Sequence, residues 1–376
     1  MNKPQLTRRR VLTGAALSVA ITGCVRGGES APSPTPTTPA PQSEPPVPSR
    51  TPATCAPSFQ FRAFQPVSYG NARAAEHRSG IRYLLPLTPN ATGDAVAASY
   101  RDGVVVWDVA SGAVRGVLAE AIWSSVLAWS PDGVELVTED PDGLIRLDAV
   151  CGTTLGTLRG HRLYESKEGP GQRVIQAQFA PDGRRLYSIG GDRTLRAWSV
   201  DKGSKLAIDF LSDYPFALAV APDSSAVVVA GHSHTTVHDP ATLAQRSIFE
   251  TPVHVWRFLS PTTLLGAADE KVVVSSLSGS ETRVAFTVDG NVTDVASSPD
   301  GRFAVACTSY HGAWIAPLDG SAAPTPLERI DNSHGAISGA CFTPDGKQII
   351  VADQHAGIAA YDRSGTILRR FAQPEN

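Results

Sequence analysis

Ser130-Pro131-Asp132-Gly133 returns, slightly altered, at Ala180-Pro181-Asp182-Gly183, Ala221-Pro222-Asp223-Ser224, Ser298-Pro299-Asp300-Gly301 and Thr343-Pro344-Asp345-Gly346. Worn copies stand at Thr88-Pro89-Asn90 and Ser260-Pro261-Thr262. The seven prolines are 42, 50, 41, 39, 38 and 45 residues apart. A period near forty marks a repeat fold and takes precedence over any local motif. Within each copy proline presets φ for the second turn position, aspartate suits the third, and glycine accepts the left-handed conformation that follows. Seven hairpins are expected, one per repeat.

Working outward from the 180s, Val174 to Ala180 alternates, Arg185 to Ile189 follows the turn, and Gly190-Gly191-Asp192-Arg193 turns again into Thr194 to Val200. Asp201-Lys202-Gly203 then leads into Ser204 to Ile208. Four short strands joined by tight turns form one β-propeller blade. The same reading gives blade one as Ile81–Leu87, Asp94–Tyr100, Gly103–Val109 and Ala113–Ala119. Blades two, four, five, six and seven span about 126–158, 216–249, 254–288, 292–328 and 337–372. The expected fold is all-β: a seven-bladed propeller of four-stranded antiparallel blades over residues 59–376.

The repeat resembles the WD-repeat family. Trp107-Asp108 closes the third strand of blade one, Trp198 holds that place in blade three, Tyr361-Asp362 in blade seven and Leu147-Asp148 in blade two. Gly191-Asp192-Arg193-Thr194-Leu195-Arg196-Ala197-Trp198 is similar to that family's turn and strand, and Gly160-His161 to its Gly-His pair, which only blade two carries. The likeness covers roughly residues 81–372 and implies a rigid disc that binds a protein or peptide. The Pro-Asp-Gly turn also resembles the YVTN-type propellers, which include lactonases and quinoprotein-related enzymes.

Residues 1–23 read as an address rather than as fold. Lys3 and Arg8-Arg9-Arg10 precede a mostly apolar run from Val11 to Gly23, too short to span a bilayer of roughly 30 Å. Thr7-Arg8-Arg9-Arg10-Val11-Leu12 resembles a twin-arginine export signal. Ile21-Thr22-Gly23-Cys24 resembles a bacterial lipobox, which implies lipidation at Cys24. Residues 24–58 follow as a linker, with ten prolines between Val25 and Ser58; this composition builds no core and reads as an extended tether. The expected location is the outer face of a bacterial membrane, held by lipid, as a monomer. Removing residues 1–23 removes four bases and no acid, leaving 29 basic against 36 acidic residues. That balance argues against nucleic acid as partner.

No Gly-x-Ser-x-Gly, His-Glu-x-x-His, phosphate-binding Gly-x-x-x-x-Gly-Lys or Cys-x-x-Cys occurs. No catalytic residue, cofactor or metal is therefore assigned. Gly231-His232-Ser233-His234 with His238-Asp239 invites a metal reading, because imidazoles at alternate positions can converge on one ion. Yet His238-Asp239 lies 16 residues after Pro222, the offset of Leu147-Asp148 from Pro131, and so falls in the structural Trp-Asp slot. Cys307 and Cys341 lie near opposite ends of their strands, beyond disulfide reach, and read as small buried apolar residues. Cys55 and Cys151 would pair only if the tether folded back over blade two. Of the six tryptophans, most read as core.

Four-strand meanders put the Pro-Asp-Gly turns and the third-to-fourth-strand turns on one face. The opposite face collects Asp102, Asp140, Asp142, Asp192, His232, His234, Asp269, Glu270, Tyr310, His311, Asp353 and His355. It also takes the inter-blade loops Leu163–Arg173 and Arg329–Gly335, with Tyr164, Glu165, Asp331 and His334. Varied loops on a rigid scaffold are where propellers carry function, so these are the binding-face residues. The leading expectation is an interaction scaffold. The alternatives are an extracytoplasmic enzyme of lactonase or quinoprotein type acting at the central channel, and a cell-envelope assembly factor. For ring closure, Thr366 to Phe371 offers blade seven its own fourth strand, while Phe59-Gln60-Phe61-Arg62 offers an N-terminal substitute.

Overall fold

Each repeat becomes one antiparallel sheet whose four strands pair in chain order. The structure is a computed structural model, and it describes residues 87–100, 103–118, 127–140, 143–150, 152–162, 165–166, 169–170, 174–250, 253–309, 311–330, 337–353 and 357–372. Blade one comprises Leu87–Pro89, Ala95–Tyr100, Gly103–Asp108 and Val114–Leu118; blade two Leu127–Trp129, Glu135–Asp140, Gly143–Asp148 and Thr154–Leu158. Blade three comprises Val174–Phe179, Arg185–Gly190, Thr194–Ser199 and Ser204–Phe210; blade four Pro215–Val220, Val227–Gly231, Thr235–His238 and Gln245–Phe249. Blade five comprises Val255–Ser260, Thr263–Ala268, Lys271–Ser276 and Thr282–Thr287. Blade six comprises Val292–Ser297, Phe303–Thr308, Ala313–Pro317 and Thr325–Pro326; blade seven Ile337–Phe342, Ile349–Asp353, Gly357–Tyr361 and Ile367–Arg370. First strands touch first strands around a closed ring, so they line the centre. A two-stranded hairpin, Glu165–Ser166 against Gly169–Pro170, adds to the loop after blade two.

The core lies between blades, because side chains of a strand alternate between its two faces. Val105 and Trp107 pack with Ile350, Ile358 and Ala360 of blade seven, while Val104 and Val106 pack with Leu136 and Leu147 of blade two. Five further clusters fill the remaining junctions in the same way. This explains why the strands read as near-continuous valine and alanine: a strand buried on both faces has no polar side to show.

The turns repeat in detail. In blade two Gly133 N donates to Ser130 O (2.9 Å), Ser130 Oγ to Asp132 (2.5 Å) and Glu135 N to Ser130 Oγ (2.9 Å). Blades six and seven copy this with Ser298–Asp300 and Thr343–Asp345. Two worn copies need correction. Pro89 lies in the first strand of blade one, and Asn90 opens the turn: Gly93 N donates to Asn90 O (3.0 Å) and Ala95 N to Asn90 Oδ1 (3.1 Å). The first strand therefore reaches Pro89, beyond the expected end at Leu87. In blade five Ser260 pairs with Thr263, so that hairpin closes on Pro261-Thr262 alone.

His238 opposes Val227 in the register that sets Trp107 against Val96, Leu147 against Leu136, Trp198 against Leu186 and Tyr361 against Ile349. It is fully buried, its ring bridging Leu243 O (2.9 Å) and Thr236 Oγ1 (2.8 Å). Burial pushes its pKa down, against Leu243 O and the Asp209 carboxylate. Cys307 and Cys341 are free and buried in different inter-blade clusters. Desolvation pushes the Cys307 thiol well up and that of Cys341 to about 12, which disfavours the thiolate at both. Trp107, Trp198 and Trp256 are fully buried, whereas Trp129 and Trp314 are half-buried. The address, Cys24, the tether, Cys55, Phe59–Arg62, Trp123 and Cys151 lie outside the described residues.

Candidate functional site

The two faces of the disc differ in what their turns do. On the Pro-Asp-Gly face, three turn glycines are roofed by a proline of the preceding blade, whereas Gly301 has open space above it. A Cβ on Gly93 would stand 1.9 Å from Pro344 Cδ, one on Gly346 3.3 Å from Pro299 Cδ, and one on Gly183 3.6 Å from Pro131 Cδ. At these three junctions proline of one blade seats on glycine of the next, so there the turn locks one blade to its neighbour.

The opposite face carries the variety. His232 and His234 occupy the turn between the second and third strands of blade four. There His234 Nε2 meets Ser212 Oγ at 3.2 Å and its Nδ1 faces Asp213 Oδ2 at 3.7 Å. Tyr214, Phe216 and His232 pack in series, tilted ring against ring, at centroid spacings of 5.8 Å. Phe210, at the end of the outer strand of blade three, is 76% exposed. Phe210, Ser212, Asp213 and His234 line a cleft of about 270 Å³ including its open mouth. Asp269 and Glu270 are exposed, and their backbone carbonyls receive Val292 N (2.7 Å) and Val288 N (2.9 Å), pinning the next inter-blade loop. His311 Nδ1 faces Asp289 at 3.3 Å. Asp353 lines a second cleft of about 350 Å³ with Glu328, Arg329 and Tyr361. Burial, with the Asp353 and Glu328 carboxylates adding, pushes the Tyr361 phenol pKa up.

Asp192 is committed inward. Its carboxylate accepts from His161 Nδ1 (3.0 Å), Thr194 Oγ1 (2.7 Å), Arg196 (3.1 Å) and Arg162 N (3.0 Å). His161 Nε2 faces Ser188 Oγ (2.7 Å), which also receives Trp198 Nε1 (2.8 Å). The Asp192 carboxylate only accepts, so the imidazole proton sits on Nδ1 and points to it, and the bare Nε2 accepts from Ser188 Oγ, which itself accepts from the indole. Desolvation pushes the Asp192 pKa up, but the hydrogen bond and charge of His161 with Thr194 and Arg162 N outweigh it and hold the carboxylate well below its usual range. Burial depresses His161 despite Asp192. Among the described residues, a side-chain network of this kind forms where the Gly-His pair supplies the histidine. Asp140 lies in strand, paired with Gly143, and Glu165 in the extra hairpin. Asp102, Asp142, Tyr164, Tyr310, Asp331, His334 and His355 lie outside the described residues.

The channel wall is occupied by pairing between blades. Gln176 and Gln178 accept from Leu218 N (2.8 Å) and Val220 N (3.1 Å) of blade four. Arg257 donates to Asp294 at 2.8 Å, and burial pushes the Asp294 pKa up against that charge. Among the described residues no three His, Cys, Asp or Glu side chains converge on a metal-sized site. Sequence reading missed Phe210, Ser212 and Asp213 because the blade three to blade four connection is short and carries no motif. The one available signal was an aromatic at the end of the outer strand Ser204–Phe210.

The family described as WD domain, G-beta repeat matches residues 152–199 and 271–314. Both stretches end in a third strand, at Ser199 and within Ala313–Pro317. Among solved structures the chain is similar to Kuenenia stuttgartiensis Hydrazine Synthase at 15% identity, covering 76% of this chain and 97% of that one, with a TM-score of 0.61. That likeness is one of fold. No curated protein matches. The protein carries WD40-type repeats on a seven-bladed propeller, a fold suited to a binding or protein-interaction module.

Proposed function

We propose that the protein is an exported, lipid-anchored binding module that presents its varied face to a protein or peptide partner outside the cytoplasm, as a monomer. The observation that carries this is the division of labour between faces. Several turns on the Pro-Asp-Gly face lock blade to blade, as the seating of Pro344 on Gly93 and of Pro299 on Gly346 shows. The other face holds both clefts, the exposed Phe210 and the charged turns at Asp269, Glu270 and His311. Exposed aromatics beside charged groups are the usual anchors of protein interfaces. The Cys24 lipobox and the proline-rich tether support membrane anchorage.

Crosslinking the protein in its native membrane, followed by mass spectrometry, identifies the partner. Replacing Asp269 and Glu270 by Lys together with Phe210 by Ser is expected to abolish capture while leaving the melting temperature within about 2 °C, as for exposed positions generally. Charge reversal at exposed Asp319, on the Pro-Asp-Gly face, is expected to leave capture intact. The opposite pattern would assign the wrong face.

A further inference from the structure

The sequence holds no hydrolase motif, yet the connection from blade three to blade four assembles three groups in a chemically ordered line. Ser212 Oγ lies 3.2 Å from His234 Nε2, and Asp213 Oδ2 lies 3.7 Å from His234 Nδ1. The ordering matters. A carboxylate only accepts, so its charge beside Nδ1 favours the ring proton there, the tautomer in which Nε2 accepts from the hydroxyl. Nucleophile, base and orienter therefore stand in the sequence that acyl transfer requires. The second distance is looser than a hydrogen bond, as such contacts often are before substrate binds.

Independent features hold Asp213 in that role. Its carboxylate accepts Tyr214 N at 2.8 Å and also Ser233 N. These N–H groups hold its pKa down against burial, so it stays ionised beside the ring. Gly231 makes room for it: a Cβ there would stand 2.8 Å from Asp213 Oδ2 and 3.0 Å from its Cβ. Ser212 is exposed at the mouth of the 270 Å³ cleft, with Phe210 and Leu211 supplying an apolar wall.

We propose that Ser212, His234 and Asp213 form an acyl-transfer site acting on small esters with an apolar acyl group. Ser212 Oγ bonds to the carbonyl carbon as its proton passes to His234 Nε2. The ester C–O bond then breaks, and the leaving alcohol takes that proton. Water, deprotonated by the same nitrogen, cleaves the acyl–Oγ bond and restores the hydroxyl, so ester and water give acid and alcohol with no redox change. The substrate must carry a good leaving group. The nearby N–H groups of Leu211, Tyr214, His232 and Ser233 are already donated, and each missing oxyanion donor forfeits about 10²–10³ in rate.

The test uses the full-length protein, a fluorophosphonate probe and p-nitrophenyl acetate. Expected is a single covalent adduct on the peptide containing Ser212, absent in Ser212→Ala, with ester hydrolysis falling to the uncatalysed rate in that variant. His234→Ala should slow adduct formation by about 10²-fold or more, the usual contribution of a general base. Gly231→Ala, which displaces Asp213 without touching the reacting atoms, should slow it as well. Thermal melting establishes that each variant is folded; Ser212 is exposed, so its replacement should leave the melting temperature unchanged. No adduct, an adduct elsewhere, or a His234→Ala rate within tenfold of wild type would overturn the assignment.

Discussion

Ser224 stands at φ 59°, where blades two, three, six and seven place glycines at φ between 65° and 72°. A non-glycine residue in the left-handed region costs roughly 1–2 kcal/mol, partly offset by the greater unfolded-state freedom of glycine. Ser224→Gly should therefore stabilise the protein by about 0.5–1 kcal/mol, read as a rise in melting temperature of about 1–2 °C; a fall would mean the hydroxyl does more than turn. At the same scale, His161 and Asp192 set a pH limit. Both have folded pKa values below their unfolded ones, so both contribute stability at neutral pH that is lost on acidification. His161 acts first: the unfolded chain takes up its proton below about pH 6.5, while the folded chain resists until its lower pKa. Stability should fall by up to about 1.4 kcal/mol per pH unit across that window. In His161→Gln the slope of melting temperature against pH between 6.5 and 5 should flatten; an unchanged slope would place the titrating group elsewhere.

Within and between blades, the sharpest dependence falls on the buried pair Glu135–Arg146. The two side chains are hydrogen-bonded through both guanidinium nitrogens facing the carboxylate, and Arg146 also donates to Val200 O of blade three at 2.6 Å. Removing one partner strands a buried charge, so Glu135→Ala should cost about 3–5 kcal/mol, whereas Glu135→Leu with Arg146→Met should cost much less. Denaturant titration of the three proteins measures this, and an equal loss in the double variant would refute it. At this scale the strands were legible in the sequence, because two-sided burial writes itself as runs such as Val104-Val105-Val106. The turns were legible where Pro-Asp-Gly was intact. Blade one misled because Asn90, through its side chain, does the work of Ser130 two positions from where Pro89 pointed. The Ser212–His234–Asp213 line was not legible, since it depends on how a connection between blades meets the turn of the next, and no periodicity reports that. His234 alone carried a signal, as one of two alternate histidines in a turn.

For the whole molecule the decisive question is how the ring stays shut. A propeller that opens at one junction exposes two sheet faces and an inner edge at once. Here the last junction is built like the others: blade seven has its own fourth strand, Ile367–Arg370, and the blade seven to blade one cluster holds Trp107, Val105, Ile350 and Phe371. The C-terminal residues then latch onto blade one. Ala372 N donates to Gly112 O (2.8 Å), Trp107 Nε1 donates to Ala372 O (2.8 Å), and Arg369 donates to Val109 O. Deleting residues 366–376 removes the strand, the latch and Phe371 together. It removes the hydrogen bond from Trp107 Nε1 to Ala372 O, at about 1 kcal/mol. Loss of buried Phe371 adds about 3–5 kcal/mol. The truncated protein should melt many degrees lower or fail to fold. The milder Phe371→Ala should lower stability by about 3 kcal/mol while keeping the strand. A truncation that melts within about 2 °C of the intact chain would show that another segment shuts the ring. Because blade seven carries its own fourth strand and the C-terminal latch onto blade one, Cys24→Ala should release a protein from the membrane that still folds. Detergent partitioning and melting of that variant, measured together, separate anchorage from architecture: a variant that stays in the membrane fraction overturns the lipid anchor, and one that is released but unfolded overturns the independence of the ring.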